Sequence, residues 1–178
     1  MTDTTLIIGG ARSGKSRFAL QLAEEKTTMK KAFLATCVPT DAEMQDRVAR
    51  HRRERGNSWK TLEVPLDLAG ALLEADQWAG IALVDCLTLW ANNLLFQTRD
   101  ETEIDRYVDR LLDAANRAAC PVIFVTNEVG TGIVPENPLA RRFRDVTGRI
   151  NQRVAAACTR VFWMVAGIPV RVKDSKIA

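Results

Sequence analysis

The chain has little of what marks secreted, zinc-binding or membrane-spanning proteins. Its four cysteines are 34 to 49 residues apart and include no CxxC pair, so neither a zinc site nor a disulfide framework is expected. The longest apolar stretch, Val161 to Val170, is interrupted by glycine and proline and is too short to span a bilayer. No signal-peptide pattern opens the sequence. We therefore expect a cytoplasmic protein that does not insert into membranes.

Glycine and proline are ordinary in number, at 10 and 6 of 178 residues, and the sequence contains no repeat or low-complexity tract. Apolar residues make up 47% of the chain and charged residues 26%, which excludes a disordered chain, a coiled coil and a collagen-like fibre. This length is typical of one domain, so we expect residues 1–178 to form a single domain.

Short apolar runs alternate with segments of helical period along the whole chain. The predicted strands are Thr5–Gly9, Ala32–Cys37, Trp59–Val64, Ile81–Cys86, Val122–Thr126 and Val161–Val165. The predicted helices are Lys15–Glu25, Asp41–Arg55, Leu66–Ala75, Leu87–Phe96, Glu101–Ala118 and Pro138–Ala157, the second opened by a capping box at Thr40 to Glu43. This alternation predicts an α/β fold with a mostly parallel central sheet flanked by helices on both faces. Ligands of such sheets bind beyond the carboxyl ends of the strands.

The first predicted strand leads directly into a glycine-rich motif, Gly9-Gly10-Ala11-Arg12-Ser13-Gly14-Lys15-Ser16, and a helix follows. Glycines let successive backbone N–H groups surround phosphate oxygens, and the helix directs its positive dipole end at the same anion. Lys15 is expected to reach the β- and γ-phosphates and the Ser16 hydroxyl to bind Mg²⁺. The motif predicts a three-layer fold of the P-loop NTPase type, against the alternative of a chance glycine-rich turn.

A second Mg²⁺ ligand is expected as an acidic residue after an apolar strand. Ile81-Ala82-Leu83-Val84-Asp85 fits this pattern, so Asp85 is the candidate carboxylate. Strands also end in Asp simply because Asp favours turns, which is the alternative.

Positive charge is concentrated between Arg47 and Lys60, where six cationic residues accompany one glutamate. Such a window favours an anionic partner, either nucleic acid or a polyphosphate. Because the rest of the chain is slightly acidic and the window is short, we expect a polyphosphate and no nucleic acid.

The only histidine, His51, lies inside this basic window and shares the apolar stripe of the predicted helix with Met44 and Val48. Neighbouring cations keep an imidazole neutral, and a neutral imidazole is a nucleophile that can attack phosphorus. From spacing alone, a structural histidine on a solvated helix face remains the simpler interpretation.

Four segments carry a resemblance to a known family: GGARSGKS, LATCVPTDAEMQDRVARHRRERGNSWKTLEVPLDL, LVDCLTLWANNLL and NEVGTGIVPENPLARRFRDVTGRINQRVAAACTRVFWMVAGIPVRVK. From about Leu6 to Lys173, the chain resembles the bifunctional adenosylcobinamide kinase/adenosylcobinamide-phosphate guanylyltransferase family of cobalamin biosynthesis. The resemblance implies that His51 becomes guanylylated by GTP and passes GMP to adenosylcobinamide phosphate, giving adenosylcobinamide-GDP. It also implies a kinase reaction in which ATP or GTP phosphorylates a hydroxyl of adenosylcobinamide.

The resemblance implies a set of nucleotide-contact positions besides His51. They are Gly9, Gly10, Ala11, Arg12, Ser13, Gly14, Lys15, Ser16, Ala35, Thr36, Cys37, Arg52, Arg53, Glu54, Arg55, Glu63 and Asp85. We expect Lys15 and His51 to be catalytic, and Ser16 and Asp85 to bind Mg²⁺. The family has an Arg-Pro turn where this chain has Arg55-Gly56, which leaves the shape of that loop open. The family also assembles as a trimer, which the apolar segment Leu87–Phe96 would suit.

Three further features have both a structural and a functional interpretation. The glycines of Asn127–Gly132 suit either a substrate or phosphate contact or an ordinary turn. The arginines of the last predicted helix suit either the phosphate of the corrinoid or a solvated face, namely Arg141, Arg142, Arg144 and Arg149. The tryptophans suit the core or a subunit interface, namely Trp59, Trp78, Trp90 and Trp163.

The alternatives to the two-activity enzyme differ in what they require of His51 and Lys15. A P-loop kinase of another small molecule needs Lys15 but not His51. A nucleotide-dependent switch needs no transfer substrate, and a nucleic-acid binder needs neither residue and predicts strongly salt-dependent binding.

Overall fold

The computed structural model describes residues 2–38 and 55–175, within which seven strands and five helices alternate. In chain order they are β1 (Thr4–Gly9), α1 (Lys15–Lys26), β2 (Lys31–Ala35), β3 (Trp59–Glu63), α2 (Leu68–Asp76), β4 (Ile81–Asp85), α3 (Leu87–Gln97), α4 (Glu101–Arg117), β5 (Val122–Asn127), α5 (Pro138–Ala157), β6 (Arg160–Val165) and β7 (Ile168–Asp174). None of these helices is long and apolar enough to cross a membrane.

All seven strands form one sheet in the order β3-β2-β4-β5-β1-β6-β7. Every neighbouring pair is parallel except β6 and β7, which form an antiparallel hairpin at one edge. The predicted α/β fold with a mostly parallel sheet is confirmed. Since β1 lies between β5 and β6, the loop after β1 emerges near the middle of the sheet.

The sheet is covered on both faces, which explains why its central strands are apolar throughout. On one face, Ile7, Leu83 and Ile123 pack with Ala19 and Ala23 of α1. On the other face, α2, α3, α4 and α5 supply a larger cluster that includes the fully buried Trp90. Helix α1, which follows the glycine-rich motif, therefore occupies its face largely alone among the described helices.

The ends of most predicted helices and strands lie within two residues of the observed ends. One observed strand was not predicted, and one predicted strand ends earlier than expected. The edge strand β7 was not predicted; its proline, Pro169, is tolerated because an edge strand leaves N–H groups unpaired. Strand β2 ends at Ala35, not at Cys37 as predicted, because the next residue, Thr36, is hydrogen-bonded to Cys86 beyond β4. The predicted helix Asp41–Arg55 and its capping box lie outside the described residues, apart from Arg55, which lies in a turn.

The amino-terminal residues are attached to two elements by ion pairs of Asp3. Its carboxylate accepts hydrogen bonds from Lys26 of α1 at 2.6 Å and from Arg160 of β6 at 2.5 Å. Partial burial opposes ionisation, but the two cations outweigh it and lower the pKa of Asp3 below its ordinary value of 3.8. These contacts hold the start of β1, and hence the strand that leads into the glycine-rich loop.

Candidate active site

The glycine-rich motif forms the predicted loop between β1 and α1. Gly14, the residue before the helix, has a left-handed backbone with φ of 92°, and Arg12 has φ of 55°. Gly14 stands at the N-cap position and has no side chain that could cap the first turn of α1. The first backbone N–H groups of α1 therefore face the loop interior, as an anion-binding helix end requires.

Neighbouring segments hold this loop closely. The backbone N–H of Glu128 donates to the carbonyl of Gly9 at 3.0 Å, and the N–H of Gly167, in the β6–β7 turn, donates to the carbonyl of Ser13 at 3.1 Å. A Cβ on Gly9 would lie 2.7 Å from the backbone oxygen of Met164 and 2.9 Å from Ser13 Oγ. The first glycine is thus required by packing against β6.

Lys15 lies within the loop, with only 8% of its surface exposed. Its ammonium group donates to the carbonyl of Gly10 at 2.6 Å. The ammonium is therefore held within the glycine-rich loop. A cation in this position can compensate the charge of a bound polyphosphate.

Ser16 and Asp85 line one cleft of about 700 Å³ beside α1 and β3, together with Arg55 and Trp59. A hydroxyl and a single carboxylate beside a phosphate site are the hard oxygen ligands that Mg²⁺ prefers when phosphates and water complete its shell. No group of three or more His, Cys, Asp or Glu side chains that could hold a metal occurs among the described residues. These residues fit a phosphate-bound Mg²⁺ and do not fit a metal cage built from protein alone.

Glu63 and Asp85 lie at the same level of the sheet, since both are register partners of Ala35. Partners in parallel strands point to the same face, so both carboxylates belong to the α1 side of the sheet. Arg55 is buried on this side, with its guanidinium 3.6 Å from the centroid of the Phe33 ring. Gly56 has φ of 49°, a conformation that proline cannot adopt, so the local loop differs from an Arg-Pro turn.

The segment Ala35-Thr36-Cys37 lies beside this cleft, but Thr36 is fully buried. Its hydroxyl donates to the carbonyl of Cys86 and accepts from the N–H of Cys86, both at 2.8 Å. Asn93 donates to the Thr36 carbonyl at 2.8 Å. The side chain of Thr36 therefore links the ends of β2 and β4, which leaves backbone atoms and Cys37 as the nearer candidates for ligand contact.

The structure brings together most of the predicted site residues that it describes, from Gly9 to Ser16 together with Ala35, Arg55, Glu63 and Asp85. Four others lie outside the described residues, namely His51, Arg52, Arg53 and Glu54. The greater part of the basic window lies there as well.

The arginines of α5 are used within the chain itself. Arg141 donates to the carbonyls of Pro135 and Glu136, and Arg144 donates to the carbonyl of Gly130 at 2.5 Å. Arg142 donates to the carbonyl of Arg99, and Arg149 pairs with Glu101 at 2.5 Å. These contacts favour the structural interpretation, in which the arginines hold the loop after β5 and the start of α4.

The tryptophans divide between the core and the surface. Trp90 is buried, and its indole N–H donates to the Leu66 carbonyl at 2.8 Å. Trp59 and Trp78 are half-buried, whereas Trp163 is 46% exposed on β6. The apolar character of Leu87–Phe96 is mostly explained within the chain, because the inward residues of α3 are buried in its own core.

Sequence patterns did not identify Thr88 and Asn151, two buried polar residues beneath the end of β5. Thr88 accepts from the N–H of Asn127 at 2.7 Å, and Asn151 donates to the Asn127 carbonyl at 3.1 Å. They lie on different helices and belong to no short motif. Only the tertiary structure brings them together, so no local signal could have found them.

Comparison with known proteins identifies the same chemistry. A family model described as cobinamide kinase / cobinamide phosphate guanyltransferase matches residues 5–172. The bifunctional adenosylcobalamin biosynthesis protein CobP of Pseudomonas aeruginosa is 43% identical over 172 residues, covering 97% of this chain and 98% of that protein. The corresponding proteins CobU of Escherichia coli and Salmonella typhimurium are 39% and 41% identical, each alignment covering 94% of this chain and 98% of the relative.

Solved structures with low sequence identity share the fold. A RadB recombinase, at 19% identity, superposes with a TM-score of 0.51 over 90% of this chain and 73% of its own. A KaiC-like protein of Pyrococcus horikoshii, at 15% identity, superposes with a TM-score of 0.53 over 90% of this chain and 70% of its own. An ATPase of a type III secretion system, at 14% identity, superposes with a TM-score of 0.54 over 92% of this chain and 51% of its own. These likenesses confirm the P-loop NTPase type of fold.

The packing of Gly9 predicts a selective loss of nucleotide binding. In Gly9→Ala, the new methyl group meets a backbone oxygen at 2.7 Å, so the loop has to move; we expect the affinity for Mg-GTP to fall at least about tenfold. Gly148→Ala is the matched control, since a Cβ there meets nothing within 4 Å and Ala favours α5 by about 0.5–1 kcal/mol. For both variants, titration calorimetry measures the affinity for Mg-GTP and thermal denaturation measures the stability. Unchanged GTP affinity in Gly9→Ala would contradict the packing argument.

Proposed function

The chain belongs to the cobinamide kinase / cobinamide phosphate guanyltransferase family, and we propose that both reactions take place at the one phosphate loop described above. It is a bifunctional transferase of adenosylcobalamin biosynthesis. The observation that carries the proposal is that Lys15 is held within the glycine-rich loop, while the next residue, Ser16, lines one cleft together with Asp85. We further propose that residues 1–178 form one domain, which the single sheet supports.

In the kinase reaction, a hydroxyl oxygen of adenosylcobinamide attacks the γ-phosphorus of ATP or GTP. The bond between that phosphorus and the β–γ bridging oxygen breaks, the nucleoside diphosphate leaves, and the hydroxyl proton is lost to solvent. The protein's part is to position the reactants and to compensate negative charge. The loop N–H groups and the ammonium of Lys15 supply this compensation in a buried position.

In the guanylyltransferase reaction, an imidazole nitrogen of His51 attacks the α-phosphorus of GTP, and pyrophosphate leaves. The phosphate of adenosylcobinamide phosphate then attacks the same phosphorus, which releases the histidine and forms adenosylcobinamide-GDP. Arg52 and Arg53 follow His51 directly in the sequence, and cationic neighbours of this kind favour a neutral, nucleophilic imidazole, which is the form that the proposal needs. The other proposed nucleotide contacts are Ala35, Thr36, Cys37, Glu54, Arg55 and Glu63.

Mg²⁺ is the proposed metal, held by the Ser16 hydroxyl and the Asp85 carboxylate. When bound, it neutralises charge on the phosphates. The two side chains line the same cleft, which supports this assignment. The basic window serves the polyphosphate in this proposal, and no nucleic acid is involved.

The proposed location is the cytoplasm, where thiols stay reduced. The four cysteines are free, and three of them are buried. Burial raises the pKa of Cys86 to about 11 and the pKa values of Cys120 and Cys158 to about 12, so these thiols stay protonated and unreactive at neutral pH.

A homotrimer is the proposed assembly. Exposed apolar residues support an interface between copies, since Phe96 is 79%, Ile133 96% and Leu139 58% exposed. We expect sedimentation equilibrium to give the mass of three chains. The mass of one chain would contradict this assembly without affecting the chemistry.

Covalent guanylylation is tested by intact-mass spectrometry after incubation with Mg-GTP. We expect the added mass of one GMP, stable in alkali and labile in acid as a phosphorus–nitrogen bond requires. In His51→Ala the adduct should be absent, while the kinase reaction with cobinamide continues at a rate within about threefold of the parent, since the γ-phosphate transfer does not use His51.

The kinase assay of His51→Ala is also the control for folding. An adduct that persists in His51→Ala would contradict the role of this histidine. A parent protein with kinase activity and no adduct would favour the alternative, a P-loop kinase without nucleotidyl transfer.

A further inference from the structure

Strand β5 continues past the point where its neighbour β4 ends. Asp85, the last residue of β4, is paired with Val125, and the chain then turns into α3, whereas β5 runs on to Asn127. The backbone N–H and C=O of Asn127 point to the side where β4 is missing. Thr88 and Asn151 replace it: Thr88 Oγ1 accepts from the Asn127 N–H at 2.7 Å, and Asn151 Nδ2 donates to the Asn127 carbonyl at 3.1 Å.

A buried hydrogen-bonded cluster of Thr88, Thr126 and Asn151 fixes this arrangement. The Thr126 hydroxyl donates to Asn151 Oδ1 at 2.7 Å, so the contact of 3.2 Å between the two threonine hydroxyls is donated by Thr88. All three residues are buried, with Thr126 fully inaccessible. Buried polar groups are costly unless they are satisfied, and here each hydroxyl and amide position is determined by the others. The cluster therefore holds the Asn127 backbone in one place.

The side chain of Asn127 belongs to the face that carries the phosphate loop. Side chains alternate along β5: Phe124 packs in the cluster on the α3 face, whereas Ile123 and Val125 pack with α1. Asn127 is two residues beyond Val125 and so lies on the α1 face. Its register partner in β1 is Gly9, the first residue of the phosphate loop.

The same face carries Asp85 on the neighbouring strand β4, where its register partner is Val125, two residues before Asn127. Asn127 therefore lies between the candidate Mg²⁺ ligand and the start of the phosphate loop. The Asn127 side chain is half-buried. Its side-chain amide, unlike its backbone N–H, forms no hydrogen bond with any residue in the ranges 2–38 and 55–175. The backbone of Asn127 is held firmly, and its side-chain carboxamide has no hydrogen-bond partner among the described residues. The carboxamide is therefore suited to form a hydrogen bond with a ligand.

We propose that Asn127 is a catalytic residue whose amide N–H donates to a terminal phosphate oxygen of the bound nucleotide, and that the cluster of Thr88, Thr126 and Asn151 positions it. This inference rests on the proposed function, in which the transferred phosphate lies in the loop. The loop N–H groups and Lys15 supply charge, whereas a neutral amide adds a directed hydrogen bond that can strengthen as charge moves during phosphoryl transfer.

The contact is tested with Asn127→Ala and Asn127→Asp in the kinase reaction. We expect Asn127→Ala to lower kcat about 10- to 100-fold, as for the loss of one hydrogen bond to a charged group, and to leave the KM for cobinamide within about twofold. Asn127→Asp should be less active than Asn127→Ala, because a carboxylate repels the phosphate. Asn116→Ala, on the exposed surface of α4, is the matched control. A kcat of Asn127→Ala within twofold of the parent would overturn the proposal, as would parental activity of Asn127→Asp.

The positioning role is tested with Thr126→Val and Thr126→Ser. We expect Thr126→Val, which removes the hydroxyl, to lower kcat at least about threefold and Thr126→Ser, which keeps it, to restore most of the activity. In Thr126→Val/Asn127→Ala, kcat should be close to that of Asn127→Ala alone, since both changes remove one contact. If Thr126 had a merely structural role, Thr126→Val would lower the Tm, and the losses of kcat in the two single variants would multiply in the double variant. That result, or unchanged kcat in Thr126→Val, would overturn the positioning role.

Nucleotide binding separates this inference from the proposed function. Asn127→Ala should bind a non-hydrolysable GTP analogue about three- to tenfold more weakly than the parent and bind GDP equally well. This measurement needs neither cobinamide nor His51, so it is valid even when the guanylyl adduct is absent. Equal loss for GDP and for the triphosphate analogue would contradict the contact with a terminal phosphate.

Discussion

The site depends on the close approach between the glycine-rich loop and the strands on either side of β1. The Gly9 carbonyl accepts from Glu128 after β5, and the Ser13 carbonyl accepts from Gly167 in the β6–β7 turn. A Cβ at Gly9 has no space beside Met164. Because the loop is held from both sides, its N–H groups and Lys15 are preorganised before any phosphate arrives, which is the property that phosphoryl transfer requires of a protein.

The proposed sharing of one phosphate loop would explain how one small protein carries two transfer reactions. Both reactions need the same compensation of negative charge, and they differ in which phosphorus is attacked and by which nucleophile. Ser16, Asp85, Glu63 and Arg55 lie on one face of the sheet, next to the loop. The difference between the reactions is therefore proposed to lie in the segment that carries His51, while the loop remains common to both.

Local sequence patterns were sufficient to predict the elements that act locally. The motif from Gly9 to Ser16 and the apolar strand ending at Asp85 predicted the loop and its carboxylate, and both lie where parallel strands end. The alternation of strands and helices likewise predicted the sheet. The positions of Thr88 and Asn151 were not predictable, because they meet only through packing of α3 and α5 against β5. The edge strand β7 was missed because Gly167 and Pro169 resemble the end of an element, although they form a hairpin turn and a tolerated edge residue.

Parallel loss of both activities in Lys15→Ala is the most direct test of the shared loop. Lys15 is buried in the loop, and Lys30→Ala, at an exposed position, controls for the loss of a positive charge. The measurement compares, in one preparation, the rate of cobinamide phosphorylation and the rate of GMP adduct formation. A single phosphate site predicts that Lys15→Ala lowers both rates by at least about 100-fold, while Lys30→Ala changes neither. Loss of one activity with the other retained would contradict the common site.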